Sequence, residues 1–523
     1  MLRRRLPHGT QLLALFALLA TLVVAGCGGD DAPTSGAGPD PATVAPADAF
    51  LYGEVVVRPT GDIEAGARAA LRKVLRVEDP GAELVRLIDE GLSEGGEDMT
   101  YADNVEPWLG ERAGGFLQLS PAGFDEEPEG AIAVAVADRD ALDEEIDRQR
   151  DAGDIRAGGT YRGVSYDVDA ESGDPNAVVS DFLVIASSVE SFRAAVDASR
   201  GDSLADASRY ETASGEIDDD ALAFLFVDPE PLSRQLGALD EVEPQLRRAL
   251  RSSRFAEADP VVASLTASAD EIAFEAIADS QLVGDALDAD DSAVTVGDLP
   301  GDAWLALATP PLGPAIRQAL DSAGVLGEAA AQLRQGTGLE LDRDLLGVIG
   351  GLGVFVRGSS PLAVGAGALL RTTSEAGARR LVNLIESIVG TSGVGSMRPL
   401  TVGGARGFQL AIPQAPQAIV VLARGAAIAA GYPASSAQDL LDPQQRFEDS
   451  PTGRAAIDSL GEGFTPSFVL LAPPLVDLLR SLDQLQVADL APVLPYLRAY
   501  DSLAIGTQHD DDRTTVRGVV TLR

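Results

Sequence analysis

Ala45-Pro46-Ala47-Asp48-Ala49-Phe50-Leu51 and Leu299-Pro300-Gly301-Asp302-Ala303-Trp304-Leu305 are two versions of one phrase, 254 residues apart. Each sets a Pro-x-Asp turn before an aromatic residue, and each opens an apolar run that ends near a proline, Pro59 or Pro310. Four further marks keep the order. Trp108-Leu109-Gly110 with Gly114-Gly115-Phe116 answers to Leu345-Leu346-Gly347 with Gly351-Leu352-Gly353-Val354-Phe355. Ser203-Leu204 through Arg209-Tyr210-Glu211 answers to the segment ending Arg446-Phe447-Glu448. Ala223-Phe224-Leu225-Phe226-Val227-Asp228-Pro229 matches Ser467-Phe468-Val469-Leu470-Leu471-Ala472-Pro473, and closing hairpins begin at Ser264-Leu265 and Ser502-Leu503. Five ordered marks at nearly one spacing are the signature of a unit used twice.

The grammar within each copy sets the fold class. An opening strand (50–57; 303–309) leads into helical residues, 63–75 and 82–92 in the first copy. Two strands follow the Leu-Gly mark (115–119 and 131–137; 352–356 and 363–370), then an amphipathic helix (139–150; 374–388) with apolar residues at helical spacing. Later strands (182–186; 418–422) precede a helix and the terminal hairpin. Helices return only intermittently, which argues against strict β-α-β alternation. The expectation is an α+β protein of two tandem copies of a mixed helix and antiparallel-sheet unit: 45–280, a connector at 281–298, and 299–523.

The N-terminus has its own pattern. Arg3-Arg4-Arg5 precedes an apolar run over residues 12–24 that is broken only by Thr21, and then Val24-Ala25-Gly26-Cys27. A positive start, a short apolar run and small residues at a cleavage point mark a secretory signal. The run is shorter than the roughly 20 residues of an ordinary spanning helix. Its last four residues resemble the bacterial lipobox. That resemblance implies a signal peptide over 1–26, a diacylglyceryl group on Cys27, and a fatty acyl chain such as palmitate on the new N-terminus. Two or more acyl chains hold a protein on a membrane far better than one. Residues 28–44 (GGDDAPTSGAGPDPATV) have almost nothing to bury and read as a flexible tether.

Composition excludes much. Nearly 500 residues after the signal exceed one compact core. Cys27 is the only cysteine, so the body is expected to fold without disulfides, by burial alone. His8 lies in the signal, leaving His509 as the one histidine of the body. A Cys/His zinc site is thereby excluded, and a Ser-His-Asp triad would have to use His509, which reads as part of a hairpin tip. The formal charge is −41. Residues 299–523 hold 21 acidic and 17 basic residues, while the first 298 hold 60 and 23, so the first repeat is strongly acidic and the second near neutral. Such a body is not expected to bind nucleic acid or an anionic bilayer by charge.

With its lipobox, its Pro-x-Asp-x-Phe/Trp-Leu openings and its Leu-Gly marks, the chain resembles a group of bacterial envelope proteins catalogued as the domain of unknown function numbered 3352. The likeness runs from about Pro46 to the C-terminus. It implies an envelope location and carries no activity or site residues with it.

Candidate chemistry is sparse. Gly347-Val348-Ile349-Gly350-Gly351-Leu352-Gly353 precedes a strand and has no lysine nearby, so it reads as a turn and not a phosphate loop. Asp218-Asp219-Asp220, Asp288-Ala289-Asp290-Asp291 and Asp510-Asp511-Asp512 lack the spacing of a calcium loop. Asp143, Glu144 and Glu145 offer carboxylate pairs of the kind glycoside hydrolysis uses, but 81 acidic residues produce such pairs by composition alone. Asp228-Pro229-Glu230-Pro231 and Ala472-Pro473-Pro474 read as strand terminators. No catalytic residue, metal ligand or cofactor is assigned, and the one site residue is Cys27. The functional expectation is a lipid-anchored binding or scaffold protein on the extracytoplasmic face of the cell membrane. The alternatives are a solute- or lipid-binding lipoprotein serving a transporter and, less favoured, a cell-wall hydrolase.

Replacing the cysteine tests the anchor. Cys27→Ala is expected to abolish labelling by an alkyne fatty acid and to move the protein from the membrane to the soluble fraction. Undiminished labelling of the variant would remove the lipobox reading.

Overall fold

The computed structural model describes residues 38–94, 99–119, 129–238, 255, 257–283, 292–322, 324–413, 416–485, 490–510 and 512–523. Cys27, the signal and the tether as far as residue 37 lie outside them, as does the acidic run 288–291. The chain divides into two compact units between Leu282 and Val283. Both mix helices with antiparallel sheet, the α+β class.

In the first unit, β1 (Leu51–Val56) lies between β2 (Leu109–Gln118) and β8 (Ala223–Val227). Beyond β2 come β3 (Glu129–Val136), β7 (Phe182–Ala186), β6 (Pro175–Val179), β5 (Val164–Asp169) and β4 (Ile155–Tyr161). Beyond β8 come β9 (Val261–Ala267) and β10 (Glu271–Asp279). Every pairing is antiparallel, in the order β10-β9-β8-β1-β2-β3-β7-β6-β5-β4.

The second unit has the same order. Its central strand β11 (Ala303–Ala308) lies between β12 (Ile349–Arg357) and β18 (Thr465–Leu471). Beyond β12 come β13 (Gly365–Thr372), β17 (Ala427–Tyr432), β16 (Ile419–Arg424), β15 (Ala405–Ala411) and β14 (Ser396–Val402). Beyond β18 come β19 (Tyr500–His509) and β20 (Arg513–Leu522).

In the first unit the sheet is covered on both faces. Strand β3 reads Glu-Gly-Ala-Ile-Ala-Val-Ala-Val and is buried along its middle six residues. Ala131, Ala133 and Ala135 face one side and Ile132 and Val134 the other, as the two-residue period of a strand requires. The alanine side leaves room for α4 (Val189–Ala198), which brings Phe192, Ala195 and Val196, and for α5 (Ser208–Ser214), which brings Tyr210 and Ala213. The other side packs against α1 (Gly61–Leu75), α2 (Pro80–Glu94) and α3 (Arg139–Ala152) through Ala67, Leu84, Ile88 and Leu142. Local signals bound the helices. Asp138 caps α3 by accepting from the Ala141 N–H, and Gly153 ends it at φ 88°. In the second unit, where α7 (Leu312–Ser322) and α8 (Leu326–Thr337) follow α6 (Pro229–Ala238) of the first, Ser374 and Gly393 do the same for α9 (Glu375–Ser392).

Three expectations need correction. The tether does not extend to residue 44: Pro41–Val44 is a 3-10 turn whose Pro41, Ala42 and Val44 are buried, capped by Asp40 accepting from the Ala42 N–H at 2.9 Å. Gly114 makes this possible, because a Cβ there would lie 2.7 Å from the Pro41 ring. The connector likewise ends before residue 298, since Val294 and Val296 are buried and the Gly351 N–H donates to the Ser292 carbonyl at 2.7 Å. Composition marked both stretches as tether or linker, yet two or three small apolar residues suffice to dock where glycines line the strand opposite. The third correction is of register: Ser203 and Arg446, not Arg209 and Arg446, hold matching places, each bridging to the opening proline, Pro46 or Pro300.

Phe192 is fully buried. Phe192→Ala is expected to cost about 3–5 kcal/mol, the usual range for a core phenylalanine. A change below about 1 kcal/mol in urea unfolding would show that α4 does not hold this face closed.

Candidate binding site in the first unit

A pocket of about 330 Å³ lies between α2, α3 and the strand face they cover. Ile88, Leu92, Trp108, Val134, Leu142 and Leu183 form much of its wall. An engineered apolar cavity of about 150 Å³ stays dry and takes up benzene, so a pocket of this size and lining is suited to an apolar molecule. Its floor is fixed by the tight turn Tyr101–Val105. That turn is tied down twice, by the Thr100 N–H donating to Asn104 Oδ1 at 3.0 Å and by the Tyr101 N–H donating to Asp89 Oδ1 at 2.7 Å. Trp108 Nε1 donates to the Asn104 carbonyl at 2.7 Å and holds the indole in the wall.

Polar groups interrupt this wall. Glu145 is only 4% exposed. Its carboxylate accepts from Asn104 Nδ2 at 3.1 Å and Gln149 Nε2 at 2.9 Å, and pairs with Arg148. Asp169, Asp174 and Asn176 line the pocket as well. Asp169 Oδ1 accepts from the N–H groups of Glu171 and Ser172 and from the Ser172 hydroxyl, which closes the turn after β5.

The second unit shows what this fold needs at these places. Counting from the capping residues Asp138 and Ser374, Glu145 and Gln149 correspond to Leu381 and Ile385. Counting along the strand ladders, Asp169 corresponds to Leu410 and Asn176 to Val421. Leu381, Leu410 and Val421 belong to one core cluster with Val348, Ala378 and Phe408, and Ile385 packs against it half-buried. The sheet and helices therefore close without polar residues here, and the first unit carries them at the wall of a void.

A second cleft, of about 300 Å³, lies on the opposite face of β1 and is lined by Glu54, Arg58, Arg112, Tyr210, Asp218 and Asp219. Tyr52 donates to Glu54 Oε2 at 2.8 Å, and Arg112 Nε donates to Glu54 Oε1 at 2.5 Å. Burial raises the Glu54 carboxyl above its ordinary value, with Arg112 and Tyr52 only partly opposing it. Burial raises the Tyr52 and Tyr210 hydroxyls as well. Arg58 donates to the carbonyls of Glu106 and Leu109. The second unit has Ala306, Ala308 and Gly351 in place of Tyr52, Glu54 and Arg112. Glu54 and Arg112 are spent on one another and Arg58 on backbone carbonyls, and the apolar pocket is the stronger candidate for a ligand.

Residues singled out in the sequence are scattered. His509 ends β19, and its Nδ1 lies 2.9 Å from the Thr514 hydroxyl in a hairpin. Gly347 ends a turn and Gly350 to Gly353 lie in β12, where Ser292 and Val294 press against them. Asp143 pairs with Arg139, while its neighbour Glu145 turns inward. Asp218 and Asp219 line the polar cleft. Pro229 and Pro473 stand at helix starts, Pro229 in α6 and Pro473 in the helix Ala472–Gln484. Among the described residues, no group of three or more His, Cys, Asp or Glu is placed to hold a metal, and no helix is long and apolar enough to cross a membrane.

What the fold defines is an α+β protein with a pocket in its first unit. The chain belongs to the family described as "Protein of unknown function (DUF3352)", whose model matches residues 12–523. No curated protein matches it in sequence. Among solved structures it is similar to TP0453 in crystal forms IV and III, at 12% and 13% identity. These cover 47% and 46% of this chain and 82% and 80% of the other, with TM-scores of 0.25 and 0.24, too low to carry an argument.

Glu54 supplies a pH test. Its folded form holds the proton more tightly than the unfolded chain, so the stability it contributes is full below about 4.5 and is lost as pH rises through the raised value. Wild type is expected to lose stability relative to Glu54→Gln as pH rises from about 4.5. Parallel urea midpoints across that range would show that the carboxyl is not raised.

Proposed function

We propose that this chain is a lipid-anchored, extracytoplasmic binding protein of the bacterial cell envelope, in which the first unit holds a small apolar ligand. One observation carries the proposal: the pocket has polar residues at four wall positions where the second unit has leucine, isoleucine and valine. A ligand site needs such convergent polar groups in an apolar wall, whereas a core does not. The anchor rests on Arg3-Arg4-Arg5, the apolar run and the lipobox at Cys27. We read the body as one unit duplicated in tandem, a reading supported by the ordered sequence marks and by the common strand order β10-β9-β8-β1-β2-β3-β7-β6-β5-β4 and its counterpart in the second unit. The first copy then departed toward binding while the second kept a closed face. Holding a ligand for a membrane transporter fits this reading better than a purely scaffolding role, because a scaffold has no use for the pocket.

Native mass spectrometry of the chain purified from its own host tests the proposal. The expected result is one small amphiphile per chain, lost in Leu92→Trp, whose indole fills the pocket. A ligand-free mass for wild type would favour a scaffold over a binding protein.

A further inference from the structure

The charge of the pocket narrows the ligand class, given that the pocket binds at all. Among the described residues its lining includes three carboxylates, from Glu145, Asp169 and Asp174, and no arginine, lysine or histidine. Arg148, which pairs with Glu145, keeps its side chain 54% exposed and is not part of the wall. The carboxylates differ in what they have left to offer. Glu145 is shared among Arg148, Asn104 and Gln149. Asp169 commits only Oδ1 to its own turn. An anionic headgroup would meet repulsion here, since Arg148 is already paired with Glu145, and a neutral one would bring no counter-charge to Asp169. Apart from the amides of Asn104, Gln149 and Asn176 and the Ser172 hydroxyl, the rest of the wall is largely apolar, from Ile88 and Leu92 to Leu142 and Leu183.

We propose that the first-unit pocket takes a cationic amphiphile, an amine or ammonium group on an apolar body about twice the size of benzene, with the charge at Asp169 and the body against Trp108 and Leu142. Asp169 is the specificity-determining residue. Its place in the second unit is held by Leu410, which is buried in a core. A leucine serves the strand there, and the turn after β5 needs only an oxygen acceptor at Oδ1, which an amide would also supply; neither demands the charge.

The test is isothermal titration of the full chain with octylamine, octanol and octanoate at neutral pH. Octylamine is expected to bind at least tenfold more tightly than octanol, and octanoate most weakly. Asp169→Asn, which keeps an Oδ1 acceptor for the turn, is expected to bring octylamine and octanol within about twofold while octanol binding persists. Equal affinity of wild type for amine and alcohol would overturn the charge assignment and leave the binding reading standing. If none of the three binds, the binding reading falls and the ligand class with it. If Asp169→Asn keeps the full preference for the amine, Asp169 is not the residue that sets it.

Discussion

In the first unit, everything is arranged around a sheet that must be apolar on both faces. An antiparallel sheet commonly leaves one face to water, and its strands then alternate apolar with polar. Here β3 has no polar alternate across its middle six residues. The helices α1, α2 and α3 on one side and α4 and α5 on the other are required by that pattern, since an uncovered face would expose a row of aliphatic side chains. The small and large residues of β3 also set how closely each layer approaches. Alanine toward α4 lets Phe192 reach the sheet, while Ile132 and Val134 on the other side fill much of the space beneath α1, α2 and α3.

A pocket in such a layer is an exception to close packing, because protein interiors fill their space nearly as well as organic crystals. Empty volume under α2 and α3 forfeits contacts that the second unit makes with Leu381, Ile385, Leu410 and Val421. Polar residues at these positions add a desolvation cost that only hydrogen bonds offset. Glu145 meets that cost through Asn104, Gln149 and Arg148, and Asp169 through its own turn. The polar cleft on the other face differs in kind. There Tyr52, Glu54 and Arg112 satisfy one another above a well-filled core.

Much of the architecture was legible in the residues. The apolar run Phe182-Leu183-Val184-Ile185-Ala186 marks β7 at its observed bounds, and the helical spacing over 139–150 ends two residues before α3 does. The stretch 40–44 reads as linker because Asp-Pro-Ala-Thr-Val has a linker's composition, while its burial depends on Gly114, some seventy residues away. The hairpin of β4 and β5 leaves little trace in the sequence, since Ile155–Tyr161 is mostly exposed and carries little apolar signal. The binding pocket was hidden for a related reason. Glu145, Asp169 and Asn176 are ordinary polar residues in an acidic half, and their meaning emerges only when helix caps and strand ladders place Leu381, Leu410 and Val421 opposite them. Glu54 does leave a trace: it is the one charge between Phe50 and Val57, where the second unit has Ala308.

The docking of residues 40–44 has a mechanical consequence. If the chain is held at Cys27, only thirteen residue steps separate that point from Asp40, a leash of roughly 45 Å at full stretch. The body then works within one protein diameter or so of the bilayer and cannot roam the width of the envelope. Any pull on the leash is also delivered first to Pro41, Ala42 and Val44, wedged beside Gly114 and Tyr52, so a tug at the membrane would be felt at the edge of the first unit's core before it reached any other part of the chain.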